Sequence, residues 1–326
     1  MIKNLLFISL FALVLFAGCA KQKQEPKLTS VSIAFQEWVG YGPFYLAQEK
    51  GFCKENGIEL IFIDEPLDAA RQEAFKQGML DCEAGTIDLL VAKAALDVPV
   101  VAVMEIDQSA GADAIVASEG INKLEDLAGK KVALTRDDVG ETFLSILLHK
   151  NNLSFKNLII LPKNTEEVAQ TFLNGEADAC VTWEPYVSLA LKKPLSHILA
   201  STKDHPGIII DTLNVRSDLA ENNPELVKNI MKSWFMALHY CREHPDEAYE
   251  IISKYYNLTP TQYKEQIRGL KWENSKEQLA YEENKEWIQI FNMITEIKFK
   301  NNRISKKPEA SKFLNHDLIE KLYENS

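Results

Sequence analysis

The chain has 326 residues, of which 46% are hydrophobic and 25% charged. That is the profile of an ordinary globular protein, long enough for two or three domains and not disordered. Lys and Arg total 36 against 47 Asp and Glu, a net charge of −11. This excludes a generic binder of nucleic-acid backbones, which needs a basic surface to displace counterions. Five cysteines are too few for a disulfide scaffold.

The N-terminus reads as an address. Lys3 is followed by an apolar run from Leu5 to Ala17, interrupted only by Ser9, and then by Phe16-Ala17-Gly18-Cys19. The run has the length of a signal-peptide core and is short for a bilayer span. Small residues before a cysteine resemble the lipobox of bacterial lipoproteins, with Phe16 departing from its usual aliphatic residue. That resemblance implies removal of residues 1–18, lipidation of Cys19, and a membrane-anchored location facing the periplasm or exterior. Residues 19–28 are polar, contain Pro26 and read as a tether. Cys53, Cys82, Cys180 and Cys241 match no metal spacing, and Cys82 and Cys180 sit in apolar runs as small core residues.

The body of the chain predicts two halves on one plan. Val31–Phe35 reads as a strand, followed by a loop through Gly42 and a helix from Pro43 to Lys50. Phe75-x-x-Gly78-x-x-Asp81 then closes a helix and leads into a strand, Asp81–Ala84, with a further helix near Asp88. In the second half Lys131–Thr135 is the strand, Glu141–Lys150 the helix, and Phe172-x-x-Gly175-x-x-Asp178 repeats the turn into a strand at Asp178–Thr182. A helix follows near Pro185. This order builds parallel sheet. Strands at Val98–Met104 and Ala114–Ala117 mark one crossing between the halves, and a strand at Gly207–Asp211 marks a return. Asn223-Pro224-Glu225 opens a helix through Arg242, and helical spacing continues in Asp246–Tyr256, Thr261–Gly269 and Lys276–Ile297. The polar tail from Asn301 predicts weak packing, and Trp234, Trp272 and Trp287 read as packing residues.

A family resemblance enters through four segments. They are Glu37-Trp38-x-Gly40-Tyr41-x-Pro43-x-Tyr45-Leu46-Ala47-x-Glu49-x-Gly51-Phe52, Asp107-x-Ser109-x-Gly111-Ala112-Asp113-Ala114-Ile115-Val116-Ala117, Leu124-x-Asp126-Leu127-x-Gly129-Lys130-Lys131-Val132 and Val181-Thr182-Trp183-Glu184-Pro185-Tyr186. Together they resemble the nitrate/sulfonate/taurine group of solute-binding proteins, which includes binders of thiamine-precursor pyrimidines. The resemblance implies an α/β fold of the periplasmic-binding-protein type II architecture: two Rossmann-like lobes, a hinge, and a ligand cleft between them. It further implies a monomeric receptor that delivers a small molecule to an ABC permease and its ATPase, with no catalysis and no cofactor. On this plan residues 29–110 and 210–326 form lobe 1 with the C-terminal helices, and residues 111–209 form lobe 2.

Ligands of open α/β sheets gather at the carboxyl ends of strands. In lobe 1 those loops hold Glu37, Trp38, Tyr41, Thr86 and Asp88; in lobe 2 they hold Asp137, Asp138, Glu141, Trp183, Glu184 and Tyr186. The crossing strands add Asp107 and Asp211, and Arg136 is the sole base in the set. Carboxylates beside Trp and Tyr faces suit a nitrogen-rich cation or neutral ring: a guanidine-like compound, an amine or an aminopyrimidine. Anion receptors ordinarily use hydroxyls, backbone N–H groups and Arg. Asp137 and Asp138 therefore tilt the choice from sulfonate, taurine or nitrate, which remain the alternative. Asp88 also reads as a helix cap, and Glu184 as a group favouring a helix start. An enzyme of the same fold, such as a pyrimidine synthase, is disfavoured by the signal segment. No metal-binding pattern is present in the spacing of the histidines.

Overall fold

The computed structural model describes residues 27–36, 38–65, 67–278 and 286–323. The signal segment, Cys19, most of the tether and Glu37 lie outside the described residues.

Eleven strands among the described residues form two sheets. They are β1 (Thr29–Ala34), β2 (Ile58–Ile63), β3 (Cys82–Thr86), β4 (Val100–Ser109), β5 (Asp113–Ala117), β6 (Lys131–Leu134), β7 (Ile159–Pro162), β8 (Ala179–Trp183), β9 (His197–Ser201), β10 (Ile210–Arg216) and β11 (Leu270–Lys271). The first sheet has the order β11-β4-β10-β3-β1-β2, and the second β7-β6-β8-β5-β9. Each sheet with its flanking helices is called a lobe below. The helices are α1 (Gly42–Glu49), α2 (Phe52–Glu55), α3 (Asp68–Lys76), α4 (Ile87–Ala95), α5 (Val139–Lys150), α6 (Thr165–Leu173), α7 (Tyr186–Ala190), α8 (Ser217–Asn222), α9 (Pro224–Glu243), α10 (Pro245–Ser253) and α11 (Pro260–Gln266), then Glu286–Lys300 and Asp317–Tyr323.

The repeated motif is a repeated structure. Phe75 and Phe172 are fully buried, and Gly78 and Gly175 take positive φ of 69° and 76°, where a side chain would be strained. The Asp81 carboxylate then accepts the β1 amide of Ser32 at 2.9 Å, and Asp178 accepts the β6 amide of Lys131 at 2.8 Å. Each lobe thus has a parallel trio, β2-β1-β3 or β7-β6-β8, pinned by the same carboxylate.

Both sheets are mixed rather than parallel. β10 and β4 extend the first trio antiparallel, and β5 and β9 extend the second. The chain crosses directly from one sheet to the other between β4 and β5, and back between β9 and β10, so these strands enter without a crossover helix. β10 starts at Ile210 and runs to Arg216, later than the apolar run at residues 207–211 suggests. Ile208 and Ile209 are buried in the crossing instead. β2 (IELIFI), β7 (IILP) and β9 (HILAS) are strands the sequence reading did not assign; all three lie at sheet edges, although β2 and β7 are rich in strand-forming residues.

The tail packs firmly over its described length. Phe313 O accepts from Ala102 N at 2.9 Å, Asn315 N donates to Ala102 O at 2.8 Å, and Leu314, Leu318, Ile319 and Leu322 are buried. Their apolar spacing supplies the face that overall polarity conceals. Trp234 and Trp287 are buried, while Trp272 is half-buried and donates to Gly40 O at 3.0 Å. Cys53, Cys82, Cys180 and Cys241 are free and buried. No helix of the described residues is long and apolar enough to cross a membrane.

Candidate functional site

A cavity of about 800 Å³ lies between the two sheets. Lobe 1 contributes Phe35, Gln36 and Trp38 after β1, and Asp64, Asp68 and Arg71 after β2. Lobe 2 contributes Thr135–Asp138 after β6, Asn164–Glu166 after β7 and Trp183–Tyr186 after β8. Tyr256, Leu258 and Gln266 close it from the C-terminal helices. The walls are therefore the carboxyl ends of both parallel trios.

The residues singled out from sequence fall into two layers. Trp38, Asp137, Asp138, Trp183, Glu184 and Tyr186 line the cavity. Thr86 and Asp211 line a small chamber that shares Gln36, Trp38 and Trp183 with it. Tyr41, Asp88 and Asp107 are buried behind these walls. The Trp38 Nε1 donates to Asp107 at 3.1 Å, and the Tyr41 hydroxyl donates to Asp211. Asp88 accepts Thr142 Oγ1 at 3.0 Å and pairs with Lys298 at 3.1 Å. It stands one residue inside α4 rather than at its cap, which is Thr86. Asp138 caps α5 through Val139 N at 2.7 Å. Glu184 accepts Ser188 N at 3.0 Å and Ser188 Oγ at 2.9 Å, fixing the start of α7 while remaining at the cavity wall. Sequence reasoning passed over Phe35, Tyr256, the ends of β2 and β7, and Asp113. Applying the strand-end rule to the second strand of each trio would have found Asp64, Asp68, Asn164 and Glu166.

The cavity is acidic. Asp64, Asp68, Asp137, Asp138, Glu166 and Glu184 share its wall with Arg71 and Arg136. Both guanidiniums are engaged by the protein. Arg71 donates to Glu83 at 3.3 Å, Asp68 at 3.2 Å and Glu65 O at 2.8 Å, and Arg136 pairs with Glu141, which also takes Arg303. Burial pushes the Asp68 carboxyl up, but Lys93 and Arg71 outweigh it and hold it below its usual range.

Deeper acids go the other way. Asp107 and Asp211 stand opposite each other on β4 and β10. Burial, then their mutual repulsion, pushes Asp107 well above the carboxylate range, and burial takes Asp211 up to about 8 despite the Tyr41 hydrogen bond. Burial raises Asp113 to about 7, offset in part by the Ser109 hydroxyl. Asp138 also rises to about 7 through burial and the Asp88 charge. It keeps partial exposure to the cavity. Among the described residues no cluster of three His, Cys, Asp or Glu side chains could hold a metal ion.

Gly40 is required by this layer. A Cβ there would lie 2.1 Å from Asp107 Oδ2 and 2.6 Å from Trp38 Nε1. Gly40→Ala is expected to displace both side chains and lower unfolding free energy by about 1–3 kcal/mol, read by denaturant titration. An unchanged midpoint refutes this packing.

Residues 38–248 match the family described as NMT1/THI5 like. A Bacillus subtilis (strain 168) protein, whose name assigns it provisionally to aliphatic sulfonates, is 24% identical over 77% of this chain and 78% of its own. The taurine-binding periplasmic protein of Escherichia coli (strain K12) is 26% identical over 71% and 72%. The crystal structure of the periplasmic aliphatic sulphonate binding protein SsuA from Escherichia coli superposes with a TM-score of 0.74 and 17% identity, covering 88% of this chain and 92% of that one.

Proposed function

Because the chain belongs to the NMT1/THI5-like family, we propose that it is the solute-binding component of an ABC importer, tethered by lipid at Cys19. It is a binding protein and not an enzyme, as its named relatives are. The solute is small and nitrogen-rich: a guanidine-like compound, an amine or an aminopyrimidine. One observation carries this choice: six carboxylates line the cavity against two guanidiniums, and both guanidiniums are paired within the protein. An anion entering there would have to compete with those carboxylates for its partners. The indoles of Trp38 and Trp183 add flat faces for a ring or a cation, worth roughly 0.5 to 2 kcal/mol each.

The same geometry supports capture by closure. Residues 29–110 with 210–326, and 111–209, act as the two moving bodies. The two crossings are tied to each other by Ser109 Oγ and Thr202 Oγ1 at 2.7 Å. Contacts from both walls favour the closed form, which is how ligand shifts the equilibrium. The names of the relatives support a second reading, a sulfonate or taurine receptor, with Asn164 and Thr165 at the start of α6 as anion donors.

A thermal-shift screen across guanidines, amines, aminopyrimidines, sulfonates and nitrate, followed by calorimetry, separates the readings. Nitrogen compounds are expected to stabilise the protein, and Trp38→Ala and Glu184→Ala to weaken binding about 3- to 30-fold while the fold persists. Stabilisation by sulfonates alone overturns the nitrogenous reading in favour of the second.

A further inference from the structure

The small chamber beneath the cavity has a composition unlike the rest of the wall. Its volume is about 10 Å³, room for a single water-sized group. Trp38 and Trp183 stand at its mouth, being 7% and 8% exposed, and Asp113 and Asp211 line its interior at 4% and 3%.

Asp113 is placed there by topology. β5 runs antiparallel to β8, so the start of β5 meets the end of β8, and Asp113 lies in register with Trp183. The same logic sets Asp211, near the start of β10, against Thr86 at the end of β3. The Asp113 backbone amide donates to Ser109 Oγ at 3.2 Å and Thr202 Oγ1 at 3.4 Å, which fixes the residue at the crossing; the Ser109 hydroxyl also eases the charge on its carboxylate, which lines the chamber. Among the described residues no Lys, Arg or His forms an ion pair with Asp113 or Asp211, and no backbone amide donates to the Asp113 carboxylate. A buried carboxylate without a counter-charge is costly, and it is relieved by a proton or by a cation from outside.

We infer that this chamber is the subsite for one N–H-bearing nitrogen of a cationic head group, a primary ammonium or an edge of a guanidinium or amidinium, received by Asp113 and Asp211 between Trp38 and Trp183. The inference rests on the nitrogenous reading above and adds a selection rule. The space admits a nitrogen carrying hydrogens and rejects one carrying methyl groups, and its two acceptors reward N–H donors that a methylated nitrogen lacks.

The test is calorimetry on the full protein with methylguanidinium, hexamethylguanidinium, methylammonium and tetramethylammonium chlorides. Each head that keeps N–H donors is expected to bind at least about 30-fold more tightly than its fully methylated partner. Asp113→Asn is expected to weaken methylguanidinium binding by a similar factor, with its melting temperature held or raised because a buried charge is removed. Equal affinities across a pair, or undiminished binding in Asp113→Asn, overturn the subsite while the nitrogenous reading stands. Binding of no nitrogen compound by the wild type overturns both. The wild-type comparison requires no substitution, so the test survives a variant that fails to fold.

Discussion

The ligand-free protein is expected to become less stable as pH rises from 5 to 8. Four buried acids set the sign. Burial raises Asp113 and Asp138 to about 7 and Asp211 to about 8, and Glu105, buried beside Glu273, to about 8. Each holds its proton in the folded state over a range where the unfolded chain has released it. The folded state then binds more protons than the unfolded one, and stability falls with pH until the folded values are passed. A shift of three units in one group corresponds to about 4 kcal/mol. The acids repel one another, so their effects do not add, and a drop in melting temperature of about 10 °C is expected. Calorimetric melts at constant ionic strength check it, and a flat or rising profile refutes it. A cationic ligand replaces those protons, so the stabilisation it confers is expected to grow over the same interval.

The second large effect is expected at Lys298. This side chain, 5% exposed, leaves the C-terminal helix Glu286–Lys300 to pair with Asp88 of α4 at 3.1 Å. Three residues after the helix ends, Arg303 pairs with Glu141 of α5 in the other lobe, and Asn301 Nδ2 donates to Ser145 at 3.3 Å. Lys298→Ala leaves Asp88 buried without its counter-charge, in a region where Asp138 already repels it. The expected loss is about 3–5 kcal/mol, measured by urea unfolding. Asp88→Asn added to Lys298→Ala is expected to restore part of it, because the stranded charge is then gone. A double variant as unstable as the sum of the singles refutes the pairing.

How far the sequence reached depends on what each residue's position encodes. Trp38, Trp183, Glu184 and Tyr186 were legible because strand ends give a residue's height along the sheet. The same rule brought in Tyr41 and Asp88, and the crossing strands brought in Asp107, all of which lie a layer deeper. Depth is set by packing from helices distant in sequence, as when Tyr256 OH bonds Trp38 O at 2.8 Å. Asp113 was hidden for a different reason. It begins a strand, and only the antiparallel pairing of β5 with β8 turns that beginning toward the cavity. Lys298 and Arg303 reach their partners from far along the chain, and nothing local marks them. The fold itself was carried by local signals that agree with one another, above all Phe75-x-x-Gly78-x-x-Asp81 and its second copy.

The position of β10 has a consequence in time. It lies between β3 and β4, yet all five strands of the second sheet are synthesised before it. The second sheet can close from contiguous chain, while the first holds a gap at its centre until Ile210–Arg216 arrives. Filling that gap requires pairing across a sequence separation of more than a hundred residues, the kind of contact that slows folding. Lobe 2 should therefore be the earlier unit to gain protection from hydrogen exchange during refolding, with lobe 1 completed only after β10 has entered between β3 and β4.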